Sequence, residues 1–306
     1  MRVAVCIVGF RNFDDIARCI HALGSSTYTD FEVAICENGG DAAFARLREG
    51  IAPRLDSGQS VLILQARGNP GYAGGVNICM RETPHADAWW VLNPDTVPAS
   101  NTIECLVDRL SRVDCQLVAC TVHYANEKVE SRGGHWNSWL ARAISLDHGQ
   151  PIGSPTDMAQ LERRVNYASG ASMLVSRRFL ERVGPMREEY FLYAEEVEWC
   201  LRGVALGMKI GVAVDAQVMH FQGASTGSVT DVSRRARMPV YLDERNKMLL
   251  TRDLFPRRLP VAALAAFLLL FLRFARRRAW RQLGYGLQGW FAGLRNERGK
   301  PVWVAD

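Results

Sequence analysis

Short apolar runs alternate with stretches of helical period through the first 120 residues. VAVCIVGF (3–10), FEVAICENG (31–39), VLILQA (61–66) and WWVLN (89–93) read as strands, because continuous apolar runs of this length suit strands buried on both faces. Between the first two, DDIARCIHAL (14–23) sets Ile16, Ile20 and Leu23 at helical spacing. The alternation predicts an α/β fold, a Rossmann-like and mostly parallel sheet flanked by helices. Polar turns follow three of the strands: ENGG, RGNPGYAGG and NPD. Ligands in open α/β sheets bind just beyond the carboxyl ends of strands, so the three turns are expected to face one crevice.

Periodicity then weakens. Residues 123–166 are polar and Gly-rich, with His135, Trp136 and Trp139 scattered among them, and read as an insertion beside the crevice. YASGASMLVSRRFLERVG (167–184) resumes strand and helix, YFLYAEEVEWCLRGVALG (190–207) reads as a helix ending at Gly207, and KIGVAVDAQVMHF (209–221) as a strand. QGASTGSVTDVSRRARMP (222–239) is small, polar and basic, the composition of a mobile loop. Near the end come an apolar run, VAALAAFLLLFL (261–272), and a helical stripe of Trp280, Leu283, Leu287, Trp290, Phe291 and Leu294.

Composition adds three constraints. With 48% hydrophobic residues among 306, the chain can bury a sizeable core, which excludes a disordered or fibrous protein. Eight cysteines without a C-x-x-C pair fit packing positions in a reducing cytosol. Residues 257–300 hold ten Lys and Arg against the single acid Glu297, so the basic character belongs to the C-terminus. Arg11 and Asn12 interrupt the N-terminal apolar run without a small-residue cleavage site, as expected of a first strand and not a signal peptide. Twelve apolar residues at 261–272 fall short of the roughly 20 that cross a bilayer. Followed by Arg273 and Arg276–Arg278, they suit a helix in the headgroup region with its arginines on anionic lipid. A buried helix with a solvated basic end is the alternative. No recognition-helix pattern accompanies these cations, which argues against nucleic acid.

The candidate chemistry is carboxylate-rich. Asp95 ends the WWVLN strand in LNPDT and reads either as an Asx-turn or cap for a helix over 98–110, or as a ligand. His220 closes a strand and reads as a packing residue unless a cation is near. One carboxylate, one imidazole and the oxygens of a diphosphate make a shell for Mn²⁺ or Mg²⁺. Glu195, Glu196 and Glu198 gain from a helix N-terminus, and Glu198 can pair with Arg202. The preceding aromatic YFLY would raise a carboxylate toward general-base range. The first strand runs into GFRNFD, not G-x-G-x-x-G, which excludes a dinucleotide site there.

In order, VAVCIVGFRN, VAICENGG, GNPGYAGGVN, VLNPDT, GASMLVSRRFLERVG, YFLYAEEVEWCLR, VMHFQGAST and ERNKMLL resemble the inverting glycosyltransferases of family 2, over about residues 1–250. The nearest likeness is the rhamnosyltransferase-like branch that builds cell-surface polysaccharides. The resemblance implies a GT-A catalytic domain over 1–225; composition and apolar spacing add a mobile loop and connecting helix over 226–256 and C-terminal amphipathic helices over 257–306. It further implies a nucleoside-diphosphate sugar donor and a divalent metal. Gly9, Phe10, Arg11, Glu37 and Asn38 would surround base and ribose, with Glu37 where the family usually has Asp. Asn69, Gly71, Gly74, Gly75 and Asn77 match the glycine-rich turn, and Asn93 and Asp95 the D-x-D position, here NPD. Asp95 and His220 would hold the metal, and Glu196, with Glu195 beside it, would be the base. Loop residues Arg234, Arg235 and Arg237 are candidates to close on the diphosphate. The implied donor is dTDP-rhamnose, with UDP-hexose or UDP-N-acetylhexosamine as alternatives. The implied acceptor is a glycan or a polyprenyl-linked oligosaccharide, at the cytoplasmic face of the inner membrane. Because Glu37, Glu196 and NPD depart from the commonest acids, a non-catalytic module of the same fold is the competing class.

Overall fold

The computed structural model describes residues 1–221 and 231–304. In chain order the first half contains β1 (Val3–Gly9), α1 (Phe13–Leu23), β2 (Phe31–Glu37), α2 (Asp41–Gly50), β3 (Val61–Gln65), α3 (Gly71–Glu82), β4 (Ala88–Leu92), β5 (Thr96–Pro98) and α4 (Thr102–Ser111). The second contains β6 (Leu117–His123), β7 (Val129–Ser131), β8 (Gly134–Asn137), β9 (Arg142–Ser145), α5 (Met158–Arg164), β10 (Ser172–Ser176), α6 (Arg177–Val183), α7 (Glu195–Ala205), β11 (Ile210–His220), α8 (Arg237–Leu254), α9 (Leu259–Phe274) and α10 (Trp280–Leu294).

The main sheet runs β3-β2-β1-β4-β10-β6-β11-β5, with β7 on β6, while β8 and β9 form a separate hairpin. β1 to β4 are mutually parallel, and β6 is parallel to β11. Between these blocks β10 runs antiparallel to both β4 and β6. That reversal matters for the site. Ser172, at the start of β10, pairs with Leu92 at the end of β4, so the Ser169–Ala171 turn arrives at the same sheet edge as NPD. His220, at the end of β11, pairs with Thr96 and joins them.

Both faces of β1 are covered, which is why its apolar run is unbroken. Val3, Val5 and Ile7 pack toward Ile16, Cys19 and Ile20 of α1, whereas Ala4, Cys6 and Val8 belong to the cluster holding Val76, Cys79 and Met80 of α3. All eight cysteines are free thiols and seven are buried, as expected of packing residues.

Three elements differ from the sequence reading. The helix expected over 190–207 begins only at Glu195; before it lie a 3₁₀ turn, Glu188–Tyr190, and a run in which Phe191, Tyr193 and Ala194 have φ of 69°, 73° and 67°. Half of the glycine-rich turn is the opening of α3. The apolar C-terminal run extends through its flanks into a helical stretch, Pro256–Arg277, of 22 residues, whose most apolar 18-residue window has a mean hydropathy of 1.9, long and apolar enough to cross a membrane. Ala262, Ala263, Ala266, Leu270 and Phe274 nevertheless bury one of its faces against the protein. Residues 257–304 are also packed onto the connecting helix: a Cβ at Gly289 or Gly293 of α10 would overlap the Tyr241 or Arg245 carbonyl oxygen of α8.

Candidate active site

A cavity of about 610 Å³ opens at the carboxyl edge of β1, β2 and β4. The turns after these strands reach it through Phe10, Arg11, Asn38, Asn93 and Asp95. Ser169–Ala171, Phe191–Tyr193, Glu195, Glu196 and His220 complete much of the wall.

Asp95 neither caps α4, whose N-cap is Asn101, nor makes an isolated turn. Its Oδ1 lies 3.3 Å from His220 Nε2, and its carbonyl accepts the Phe221 N–H. Pro94 and Asp95 carry the chain from β4 into β5, the strand that pairs with β11, so the two side chains meet by sheet register. Glu130 of β7 closes the arrangement, its Oε2 2.9 Å from His220 Nδ1. Burial disfavours charge on His220, but the hydrogen bonds that its ring N–H groups donate to Asp95 and Glu130 outweigh it and lift the imidazole pKa to about 10. Nothing in the sequence pointed to Glu130, which lies in the segment without a period.

Among the described residues no group of three or more His, Cys, Asp or Glu is arranged to hold a metal ion. The donor set still fits a substrate-completed site, in which a cation would replace the Nε2 proton that His220 shares with Asp95. Asp95 and His220 both face the cavity, Glu130 orients the far ring nitrogen as carboxylates behind metal-bound histidines do, and Mg²⁺-type sites take the rest of their shell from phosphates and water.

The remaining candidates divide into those that line the cavity and those that brace it. Phe10, Arg11, Asn38, Asn69, Gly71 and Asn93 line it. Gly71 has φ of 78°, and a Cβ there would overlap the Phe191 carbonyl oxygen, so this close approach requires glycine. Gly9, Glu37, Gly74, Gly75 and Asn77 are not among its lining residues. Glu37 Oε1 accepts the N–H groups of Arg11 (3.0 Å) and Gly39 (2.7 Å), tying two turns together, and burial raises its pKa despite those bonds. Gly9 leaves room for that carboxylate. Gly74 and Gly75 let α3 settle on Pro70 and Val8, and Asn77 binds the Met186 backbone.

Glu195 and Glu196 enter the cavity from the first turn of α7. Glu195 is buried and its Oε2 has no hydrogen-bond partner. Burial first, and the neighbouring Glu196 charge second, push its pKa well above the usual carboxylate range. Burial also raises Glu196, which keeps backbone N–H donors. Glu198 points away and pairs with Arg202 at 2.9 Å, as its spacing predicts. The left-handed run before α7 is held from behind. Asn246 Nδ2 donates to the carbonyls of Tyr190 (3.0 Å), Leu192 (2.8 Å) and Tyr193 (2.7 Å), and Arg245 Nη2 donates to Tyr190 O at 2.8 Å. Both side chains belong to ERNKMLL, a segment whose sequence gave no role. Tyr72, also unanticipated, lines the cavity and donates to Gly170 O at 2.8 Å.

Of the three loop arginines, Arg235 lines the cavity. Arg234 is exposed and pairs with Asp231. Arg237 opens α8, where it donates to Gln288 and lies over the Trp303 ring. Residues 226–230 of the expected lid lie outside the described residues.

Residues 1–238 match the family model described as "Glycosyltransferase like family 2". The low-salt glycan biosynthesis hexosyltransferase Agl10 of Haloferax volcanii is 24% identical over 246 residues, covering 78% of this chain and 77% of its own. The dTDP-rhamnosyl transferase RfbF of Shigella flexneri is 32% identical over 90 residues, covering 29% of this chain and 30% of that relative. Among solved structures, the mannosyltransferase PcManGT of Pyrobaculum calidifontis, in complex with GDP-Man and Mn²⁺, aligns with a TM-score of 0.57 at 16% identity, over 97% of this chain and 88% of that one. The structural likeness identifies the GT-A fold.

Proposed function

The chain belongs to the family 2-like glycosyltransferases, and on that premise we propose that it moves a sugar, with inversion, from a nucleoside-diphosphate donor to a hydroxyl of a cell-surface glycan or lipid-linked oligosaccharide. The observation that carries this reading is the single cavity in which Asp95, His220 and Glu196 meet. Partial likeness to a dTDP-rhamnosyl transferase favours dTDP-rhamnose as donor. The longer match to a hexosyltransferase favours a UDP-hexose as the second reading.

In this scheme Phe10, Arg11 and Asn38 receive the nucleoside, and Asn69 and Gly71 form the turn against which the donor lies. A divalent cation, Mn²⁺ or Mg²⁺, held by Asp95 and His220 would neutralise the leaving diphosphate, a contribution of several kcal/mol to the barrier. Arg235 supplies further positive charge from the α8 side. Glu196 takes the proton of the acceptor hydroxyl as its oxygen attacks the anomeric carbon and the nucleoside diphosphate departs. Because burial raises the Glu196 pKa, transfer should increase with pH through that raised value as the carboxylate ionises. Glu195, buried, without a partner on Oε2 and with its pKa pushed well above the usual carboxylate range, is the weaker candidate for base.

The exposed side of α9 carries Val261, Leu264, Leu268, Phe271 and Leu272, and packed rings from Phe271 through Phe267 and Trp290 lead to the exposed Phe291 of α10, with Arg273 and Arg276–Arg278 following the apolar run in sequence. This face supports docking on the cytoplasmic surface of the inner membrane.

Replacing the base tests the scheme. Glu196→Gln should lower the transfer rate by about a hundredfold or more while calorimetric donor binding stays at the wild-type level. Transfer at the wild-type rate would remove Glu196 from the role.

A further inference from the structure

A second cavity, of about 520 Å³, lies between the β8–β9 hairpin, α8 and α9. Its wall is divided. Leu140, Ala141, Ala266, Leu269, Leu270 and Leu272 make an apolar side, and Leu272 also belongs to the exposed stripe of α9. The polar side carries Arg142, Lys247, Arg273 and Arg277 against two carboxylates, Asp243 and Glu244. Lys247 and Arg273 are already matched, each within 3.3 Å of both carboxylates. Arg142 and Arg277 have no carboxylate within ion-pair distance among the described residues, so the cavity carries excess positive charge.

The two cavities share a helix: α8 lends Met238 to the wall of the first and Asp243, Glu244 and Lys247 to the wall of the second. The second cavity therefore lies along α8 from the first. Charged and apolar walls meeting next to an apolar surface helix suit one class of molecule, an anion bearing a hydrocarbon chain.

We propose that this second cavity receives a phosphate-bearing amphiphilic acceptor: Arg142 and Arg277 bind its phosphate, Leu269 and Leu272 take the start of its alkyl chain, and its sugar reaches toward Glu196. The inference rests on the transferase reading for that last element only. Arginine suits this role because its fork of N–H donors matches phosphate oxygens in pairs. The chain would lie along the exposed stripe of α9 and reach the membrane without crossing the catalytic domain.

The test is calorimetry on the full chain with the first cavity saturated by dTDP or UDP. The titrants are farnesyl diphosphate, below its micelle concentration, and inorganic diphosphate. Farnesyl diphosphate should bind at least about tenfold tighter than inorganic diphosphate, the chain adding apolar burial. Arg142→Ala combined with Arg277→Ala, both exposed positions, should weaken farnesyl diphosphate by at least about tenfold and leave nucleotide binding unchanged. Equal affinity for the two titrants, or unchanged affinity in the double variant, would overturn the proposal. Failure of nucleotide binding alone would instead count against the donor site.

Discussion

At the scale of residues, the site is built from carboxylates whose surroundings set them apart. Asp95 and Glu130 bracket His220 and stay close to its two ring nitrogens. Glu195 sits in a buried position with one oxygen unpartnered. An acid of this kind is a liability for folding. Burial holds its proton to higher pH in the folded chain than in the unfolded one, where it ionises near its ordinary value of 4.5, so stability falls as pH rises from there toward its raised folded value. Glu195→Gln should therefore have a higher Tm than the wild type at neutral pH, with the difference closing below the ordinary carboxylate range. A Tm difference that does not change with pH would show that Glu195 is charged in the folded state. Asp95, His220 and Glu196 were legible in the sequence because each follows a strand or aromatic segment and fits an ordered family pattern. Glu130 was not, since only the pairing of β7 with β6 brings it beside His220.

At the scale of elements, the strands were readable and the approach to α7 was not. A strand buried on both faces announces itself as an unbroken apolar run, and β1 to β4 formed within a residue or two of expectation. The left-handed conformation of Phe191, Tyr193 and Ala194 has no such signature, because none of them is glycine. It is imposed by contacts distant in sequence, namely Gly71 beneath Phe191 and Asn246 behind the carbonyls of residues 190, 192 and 193. Backbone strain of this kind persists where surrounding structure enforces it. Asn246→Ala should lower kcat by about a hundredfold through misplacement of Glu196, with little change in donor KM. A lowered Tm with unchanged kcat would make Asn246 a purely structural residue.

At the scale of the whole molecule, α8 joins chemistry to surface. Its inner residues hold the loop before Glu196, and its outer side receives α10 through Gly289 and Gly293. Charge asymmetry in the sequence located the basic C-terminus, but tight glycine-mediated packing between α8 and α10 is a property of the folded chain. The proposed membrane attachment is therefore best probed on the exposed stripe without removing the helices. Leu264→Ser with Leu268→Ser should reduce flotation with phosphatidylglycerol vesicles and leave the Tm near the wild-type value. Undiminished flotation would assign attachment to another surface. The central claim, that this fold presents a metal-assisted nucleoside-diphosphate sugar site, is tested most directly by calorimetry of the full chain against dTDP-, UDP- and GDP-sugars with and without Mn²⁺ or Mg²⁺. The account predicts binding of one donor class that depends on the metal and is lost in Asp95→Ala. Failure of every donor to bind in the presence of metal, or equally tight binding to Asp95→Ala, would contradict it.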